Sequence, residues 1–201
     1  ASVLCEGRRL ETYAKRELPN YQVFDERRYF TPGQGVCVFQ VQGINVGLLI
    51  CEDAWFDEPG HLAKDAGAEL LAVINASPYH VGKGGERIER MRQGALNTGL
   101  PLIYAHNVGA QDEVVFDGAS FVLGADGALA GSAPSFVEDL FFFEANRALV
   151  SAKPAQAAIE IVAKITPERS NEAQLWDALV LGVRDYVTKN GFPSTLLGLS
   201  G

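Results

Sequence analysis

The stretch Asn45-Val-Gly-Leu-Leu-Ile-Cys51-Glu-Asp-Ala-Trp55 places an apolar run directly before one cysteine and two acids. The run Val46–Ile50 predicts a buried β-strand. Cys51 then follows the strand at the turn toward the next element, where a rigid support can expose a nucleophile. An isolated cysteine is also commonly a buried core residue. This stretch alone therefore leaves a catalytic and a structural cysteine open.

Strands and helices alternate around this stretch. We predict a hairpin over Gly35–Ile50, strands over Leu70–Asn75 and Leu102–Asn107, helices over Pro59–Ala66 and Glu86–Thr98, a Gly-rich loop over Ser77–Gly85, and short strands over Val114–Glu144. Helices that alternate with buried strands predict an α/β sandwich.

The last third of the chain changes character. We predict a surface linker over residues 145–170 and then a helix over Asn171–Asn190, with Asn171 as N-cap and Gly191 just beyond its end. An apolar stripe runs along this helix at Leu175, Leu179, Val183 and Val187. We predict that Ser194–Gly201 forms a further buried strand.

A second segment changes the interpretation of Cys51. It reads Tyr13-Ala-Lys15-Arg-Glu-Leu-Pro-Asn-Tyr21, followed by Phe24-Asp-Glu26-Arg-Arg-Tyr-Phe30 and Pro32-Gly33. Together with Cys51 these motifs resemble the nitrilase (carbon–nitrogen hydrolase) superfamily, and within it the glutaminase domains of glutamine-dependent NAD+ synthetases. The resemblance runs from Tyr13 to about Glu144.

The resemblance implies an α/β, four-layer αββα sandwich of the nitrilase type, here incomplete. We expect residues 1–144 to be a carbon–nitrogen hydrolase domain whose N-terminal part lies outside this chain. Residues 145–170 would then be a linker. Residues 171–201 would hold the first helix and strand of an α/β synthetase domain, cut short.

The resemblance also implies a Cys–Glu–Lys triad that hydrolyses a C–N bond. Cys51 would be the nucleophile, Lys15 the lysine, and Glu26 a supporting glutamate that holds the lysine. The Lys15 ammonium and the backbone N–H of Glu52 would stabilise the oxyanion. The neighbouring charges of Glu52 and Asp53 would raise the pKa of the thiol, so a nearby cation is needed.

The catalytic base of the resembled family precedes the lysine by a long interval. Glu6 and Glu11 are too near Lys15 to be this residue. We therefore expect the base to lie outside this chain, and the chain to be inactive by itself. The three histidines, His61, His80 and His106, show no Cys/His/Asn context and are expected to be packing or surface residues.

Four residues are expected to contact substrate. Tyr21 and Trp55 match aromatic positions of the resembled glutamine pocket, and Ser77 and Lys83 lie on the loop after a strand, where they would bind the α-amino and α-carboxylate groups. The segments Gln111–Glu113 and Phe116–Gly118 resemble a family signature that shapes the site or the domain contact, and its atoms have no assigned role. Ser200 and Gly201 resemble the start of an ATP pyrophosphate loop.

Composition limits the possible partners. A net charge of −8 over 201 residues argues against nucleic acid or an anionic membrane as the main partner. The sequence shows neither a membrane-length apolar run nor a secretory signal. Three cysteines, Cys5, Cys37 and Cys51, without metal-ligand spacing indicate a reduced cytoplasmic protein and predict no metal.

The resemblance implies that the function is glutamine hydrolysis, which supplies ammonia for ATP-dependent conversion of deamido-NAD to NAD+. We expect no cofactor in this segment, ATP and magnesium in the synthetase domain, and a homo-oligomeric parent protein. Two alternatives are a stand-alone amidase or carbamoylase and an inactive interaction module. The helix Asn171–Asn190 with Ser200-Gly201 argues against the first, and the presence of Lys15 and Cys51 argues against the second.

Overall fold

The computed structural model describes residues 1–147 and 159–199, and its centre is a six-stranded mixed sheet. The strands are β3 (Val38–Val41), β4 (Ile44–Ile50), β5 (Leu70–Asn75), β6 (Leu102–His106), β9 (Phe121–Leu123) and β10 (Leu129–Ser132). Their spatial order is β10-β9-β6-β5-β4-β3. The three central strands are parallel, and β3, β9 and β10 add antiparallel edges. The α/β prediction and the predicted hairpin before Cys51 are confirmed.

Two helices cover one face of this sheet. They are α2 (Asp57–Asp65) and α3 (Lys83–Thr98), and α3 ends at the left-handed Gly99. Met91 and Ala95 of α3 are fully buried in the core on this face. Helix α2 lies so close to β4 that a Cβ at Gly47 would approach Ala63 Cβ to 2.9 Å. Glycine at this position therefore allows the helix to pack on the strand that ends at Cys51.

A hairpin covers the other face. It consists of β11 (Phe143–Arg147) and β12 (Ile159–Ala163), which pair antiparallel. Ile159 and Ile161 are buried against the main sheet. The prediction of a surface linker over 145–170 is wrong for these strands, because alternate apolar residues of β12 face the sheet and complete its core. Residues 148–158 of the predicted linker lie outside the described residues.

The remaining short elements lie at the periphery. They are β1 (Ser2–Cys5), β2 (Arg8–Thr12), the one-turn helix α1 (Glu26–Tyr29), β7 (Val108–Gln111) and β8 (Val114–Asp117). β1 pairs with β2, and β7 with β8. The strands β8, β9 and β10 confirm the predicted short strands over Val114–Glu144.

Helix α4 (Asn171–Lys189) packs on the β7–β8 hairpin through Ala178 and Leu181. Its N-cap is Ser170, whose hydroxyl accepts from the Ala173 N–H, and not the predicted Asn171. The predicted apolar stripe is not the buried face, since Leu179 is 61% exposed. Leu175 and Val183 of the stripe are exposed as well. Helical periodicity identified the stripe correctly, but the hairpin is contacted by the neighbouring face.

The chain after α4 is extended and exposed. Residues 194–199 form no strand, and Leu196, Leu197 and Leu199 are almost fully exposed. The prediction of a buried strand is therefore wrong for these residues. A strand needs a paired neighbour for its N–H and C=O groups, and no neighbouring strand is found in the described part of the chain. Ser200 and Gly201 lie outside the described residues.

The parallel order of β4, β5 and β6 decides where a site can form. The carboxyl ends of all three strands meet at one edge of the sheet, which is the usual place for ligands in α/β sheets. Cys51 directly follows β4, Ser77 is the second residue after β5, and His106 ends β6. Residues that are distant in sequence are thereby brought together at this edge.

Candidate active site

Cys51 occupies a strained turn at the end of β4. It begins a short 3-10 helix, Cys51–Trp55, and its φ is +46°, in the left-handed region that residues other than glycine seldom adopt. Such strain in a non-glycine residue persists only where the surrounding structure enforces it, and it is common at active sites. Cys51 therefore lies in a strained turn at the end of a strand, which is the position that the sequence predicts for it.

The environment of the Cys51 thiol contains opposing influences on its pKa. Burial raises the pKa, while the charge of Lys15 and a backbone hydrogen bond from Ala76 lower it. The carboxylates of Glu52 and Glu26 raise it again, and the net pKa is above the ordinary value. Lys15 is thus the main charge that favours the thiolate, as predicted.

Lys15 is held by Glu26. The Lys15 Nζ lies 2.8 Å from both carboxylate oxygens of Glu26, and both side chains are largely shielded from solvent. A two-oxygen contact fixes the ammonium better than a single one. The prediction that Glu26 holds the lysine agrees with this contact, while the catalytic roles of both residues remain predictions.

A cavity of about 350 Å³ opens beside Cys51. It is lined by six of the predicted site residues, Tyr21, Cys51, Glu52, Trp55, Ser77 and Lys83, together with residues of the neighbouring loops. This volume lies within the range of small-molecule pockets, roughly 300–1,000 Å³. All four predicted substrate-binding residues therefore share one pocket with the predicted nucleophile.

The pocket wall carries charges of both signs. Tyr21 donates its hydroxyl to the Glu52 carboxylate at 2.9 and 3.0 Å, and burial together with this hydrogen bond raises the pKa of Tyr21 to about 12. Lys83 Nζ lies 4.6 Å from the ring centroid of Trp55 and 2.9 Å from Glu86. The side chain of Glu52 thus lines the pocket, a position that its predicted backbone role did not include.

A buried ion pair supports the loop that carries Ser77. Arg87 Nη1 lies 2.7 and 2.8 Å from the two carboxylate oxygens of Asp117, and both side chains are almost fully buried. Arg87 also donates to the Ser77 carbonyl at 2.9 Å and contacts its hydroxyl at 3.4 Å. The hydroxyl predicted to bind substrate is therefore partly engaged by a residue of α3.

His106 completes this support. Its Nδ1 lies 2.8 Å from the Gly118 carbonyl, and its Nε2 lies 3.0 Å from the backbone of Ser77. Burial, with the nearby charge of Arg87, lowers the pKa of His106 to about 4. Both ring nitrogens are engaged, so this histidine is a packing residue and not a free base. The prediction for His106 agrees with this position.

The sequence analysis did not predict the contacts of three residues around the site: Asp53, Arg87 and Asp117. Asp53 was expected to raise the pKa of Cys51, but it is absent from the main influences on the thiol. It is fully buried and receives hydrogen bonds from Tyr13, Arg16, Glu17 and Ile50. The available signal was an acid placed close after the apolar strand Val46–Ile50, since acidic side chains near a core are seldom buried without partners.

The described residues contain no group of three or more side chains suited to hold a metal ion. Over the same part of the chain, no helix has the length and apolar character needed to cross a membrane.

Comparison with known proteins places this geometry in a family. The family model described as carbon–nitrogen hydrolase matches residues 3–155, which is more than half of the chain. The chain belongs to the carbon–nitrogen hydrolase family. This carbon–nitrogen hydrolase chain is 46% identical over 203 residues to the glutamine-dependent NAD(+) synthetase of Xylella fastidiosa strain Temecula1. It is 39% identical over 201 residues to the glutamine-dependent NAD(+) synthetase of Acinetobacter baylyi. In both cases the whole chain is covered, and it spans 36% of the length of the relative.

Solved structures agree with this family assignment. The glutamine-dependent NAD+ synthetase of Acinetobacter baumannii, in complex with ADP, superimposes with a TM-score of 0.88 and 38% identity over 99% of this chain and 36% of that chain. A C145A mutant of an amidase of the nitrilase superfamily from Nesterenkonia AN1 gives a TM-score of 0.57 and 29% identity over 64% of this chain. That match covers 47% of the amidase chain. The nitrilase-type α/β fold is thereby confirmed.

Proposed function

We propose that this chain is part of the glutaminase portion of a glutamine-dependent NAD+ synthetase. The observation that carries the proposal is a pocket lined by Cys51, Glu52 and Lys83, with the charge of the Glu26-held Lys15 acting on the Cys51 thiol. The proposal is also supported by the similarity of almost the whole chain to glutamine-dependent NAD+ synthetases.

The pocket suits an α-amino acid. Glu52 presents a carboxylate and Lys83 an ammonium on the same cavity wall, and these charges complement the α-ammonium and α-carboxylate of glutamine. Trp55 and Tyr21 add apolar surface for the methylene groups. In this arrangement the side-chain amide of glutamine is directed toward Cys51.

The reaction proceeds through a thioester. Cys51 Sγ attacks the side-chain carbonyl carbon, and the oxyanion is stabilised by Lys15 and the Glu52 backbone N–H. The C–N bond then breaks and ammonia leaves with the proton that the thiol gave up. Water attacks the thioester, releases glutamate and restores the thiol.

Both proton transfers need a base, which we assign to a glutamate outside this chain. Within the described residues, the Glu26 carboxylate is engaged by Lys15 and the Glu52 carboxylate accepts from Tyr21. His106 has both ring nitrogens engaged. These contacts leave none of the three in a suitable state to accept the thiol proton.

The remainder of the protein would use the ammonia. We assign it the ATP- and magnesium-dependent amidation of deamido-NAD, and we assign residues 171–201, with Ser200 and Gly201, to the start of that domain. The exposed apolar face of α4 supports this assignment, because apolar patches of this kind mark interaction surfaces. A cytoplasmic location and a homo-oligomeric state complete the proposal, the former because Cys51 acts only as a reduced thiol.

The test is Cys51→Ala in the full-length protein that contains this chain. We expect glutamine-dependent NAD+ synthesis to be abolished while synthesis from free ammonia continues, because only the nitrogen supply is lost. The matched control is Cys5→Ala, which removes an exposed thiol remote from the pocket and should keep both activities. Glutamine-dependent synthesis that survives Cys51→Ala would refute the proposal. Hydrolysis of simple aliphatic amides in preference to glutamine would favour a stand-alone amidase.

A further inference from the structure

Asp53 is a buried carboxylate that takes no part in the proposed reaction. It lies two residues after Cys51 and is 0% exposed. Its Oδ1 accepts from the backbone N–H groups of Arg16 at 3.0 Å and Glu17 at 2.8 Å. Its Oδ2 accepts from the Tyr13 hydroxyl at 2.9 Å and the Ile50 N–H at 3.0 Å. Four donors fill the roughly four acceptor sites of one carboxylate.

These donors come from two separate segments. Three of them belong to residues within two positions of Lys15, on both of its sides. The fourth precedes Cys51, and Asp53 itself belongs to the Cys51 turn. One side chain therefore ties the backbone that carries the lysine to the turn that carries the nucleophile.

We propose that Asp53 is a positioning residue that fixes the Lys15 segment against the Cys51 turn. The effect on glutamine hydrolysis that we expect from this positioning rests on the proposed function. Asp53 and Glu26 have complementary roles, because Glu26 holds the ammonium of Lys15 and Asp53 holds the backbone from which that side chain extends.

The packing on the other side of Lys15 agrees with a fixed backbone. The Gly33 N–H donates to the Lys15 carbonyl at 2.8 Å. A Cβ at Gly33 would lie 2.2 Å from the Ala14 carbonyl oxygen, so the two segments touch backbone to backbone. The lysine segment is thus confined between Gly33 and Asp53.

The hydroxyl of Tyr13 is a dependable donor in this arrangement. Burial, followed by the charge and hydrogen bond of Asp53, raises the pKa of Tyr13 far above its ordinary value, so the hydroxyl keeps its proton. Because Tyr13 is itself 3% exposed, water has little access to compete for the carboxylate.

The four hydrogen bonds that Asp53 accepts, which we call the Asp53 clamp, are linked to the reactivity of the Cys51 thiol. The positive charge of Lys15 favours the Cys51 thiolate, and this influence decreases as the distance between the two groups grows. Asn at position 53 has one acceptor oxygen and an amide group that cannot accept, so at least one donor pair is left unpaired. The Lys15 segment is then expected to move away from the turn.

The experiment uses three single variants of the full-length protein: Asp53→Asn, Tyr13→Phe and Lys15→Met. Lys15→Met removes the lysine charge completely and so gives the largest effect that displacement of Lys15 could have. Two quantities are measured: steady-state glutamine hydrolysis, and the rate of Cys51 alkylation by iodoacetamide from pH 5 to pH 10, read by peptide mass mapping. Mapping separates Cys51 from Cys5 and Cys37. The matched control is Asp57→Asn, an exposed carboxylate on α2 that does not contact the Lys15 segment.

For Asp53→Asn we expect kcat to fall by about 100-fold, the typical result of an ångström-scale misplacement. KM should change by less than about threefold, because the pocket residues that bind glutamine stay in place. The alkylation profile of Cys51 should shift to higher pH in the direction of Lys15→Met. Tyr13→Phe should give a smaller shift of the same sign, and Asp57→Asn none.

A wild-type alkylation profile in Asp53→Asn would overturn the proposal, whether or not turnover is lost, because a loss without the shift reflects a structural role only. If Asp53→Asn fails to fold, Tyr13→Phe decides: a shift to higher pH supports the clamp, and a wild-type profile overturns it. If the wild-type protein releases no ammonia from glutamine, the proposed function fails, but the alkylation profiles still test the clamp.

Discussion

The surroundings of Cys51 and the outer face of α4 differ in which side chains are buried: charged side chains are buried around Cys51, whereas apolar side chains are exposed on α4. Around Cys51, charged side chains such as Asp53 and Arg87 are buried, and each has several hydrogen-bond partners. On α4, Leu175 and Leu179 are exposed although both are apolar. A buried charge is tolerated only when it is paired, and Asp53 and Arg87 both find their partners within this chain. The apolar residues on the outer face of α4 have no such partners among the described residues, and we propose that the rest of the full-length protein covers them.

Two different devices stabilise the first region. The lysine segment is held by a carboxylate with uncharged donors, whereas the Ser77 loop is held by the Arg87–Asp117 ion pair. Loss of one partner of the buried ion pair leaves a charge that water cannot compensate, whereas water compensates the charge left by the loss of an exposed partner. We therefore expect the largest loss of stability at the Arg87–Asp117 pair.

Asp117→Asn should destabilise the full-length protein by about 3–5 kcal/mol, because Arg87 keeps its charge in a buried site without its partner. The measurement is chemical or thermal unfolding. The matched control is Asp57→Asn, which breaks the exposed pair with Arg90 and should cost about 0–1 kcal/mol. Equal costs for the two variants would contradict the importance of burial here.

A second prediction concerns the stability of the folded protein at low pH. The pKa of His106 is lowered to about 4 in the folded protein, from an ordinary value of 6.5. The unfolded chain therefore takes up the proton first, and the stability from neutral His106 is present above pH 6.5 and lost as the pH falls toward 4. The shift corresponds to about 3 kcal/mol.

Unfolding measured between pH 7 and pH 4 tests this prediction. His106→Gln should show a weaker loss of stability over this window than the wild type. The control His61→Gln, which replaces an exposed ring, should follow the wild-type curve. A His106→Gln curve parallel to the wild type would show that other groups control the acid sensitivity.

The smallest predicted effect concerns α4. In the full-length protein, Leu179→Ser should cost about 2 kcal/mol, because we propose that this face is buried there. Leu181→Ala on the same helix, already 3% exposed in this chain, should cost about 2–5 kcal/mol. A cost below about 0.5 kcal/mol for Leu179→Ser, typical of surface positions, would show that the face remains open to water.

The sequence by itself determined the central strands and helices around Cys51, and it predicted which residues form the site. The apolar run before Cys51 predicted β4. An early acid and the pair Gly99 and Pro101 predicted a helix over Glu86–Thr98, whose C-terminus is confirmed although α3 begins three residues earlier, at Lys83. The segment from Tyr13 to Phe30 identified Lys15 and Glu26, which form an ion pair. These features depend on local periodicity and on motifs that can be recognised within one short segment.

Only the tertiary structure decided which partners the buried polar groups Asp53, Arg87 and Asp117 have. Asp53 contacts a segment about 37 residues away in the sequence, and Arg87 meets Asp117 across 30 residues. The two faces of α4 are both apolar, so helical periodicity could not show that Ala178 and Leu181 would be buried in place of Leu179. Hydrophobic periodicity specifies which side of an element is apolar, but the neighbour that covers it is set by the packing of the whole chain.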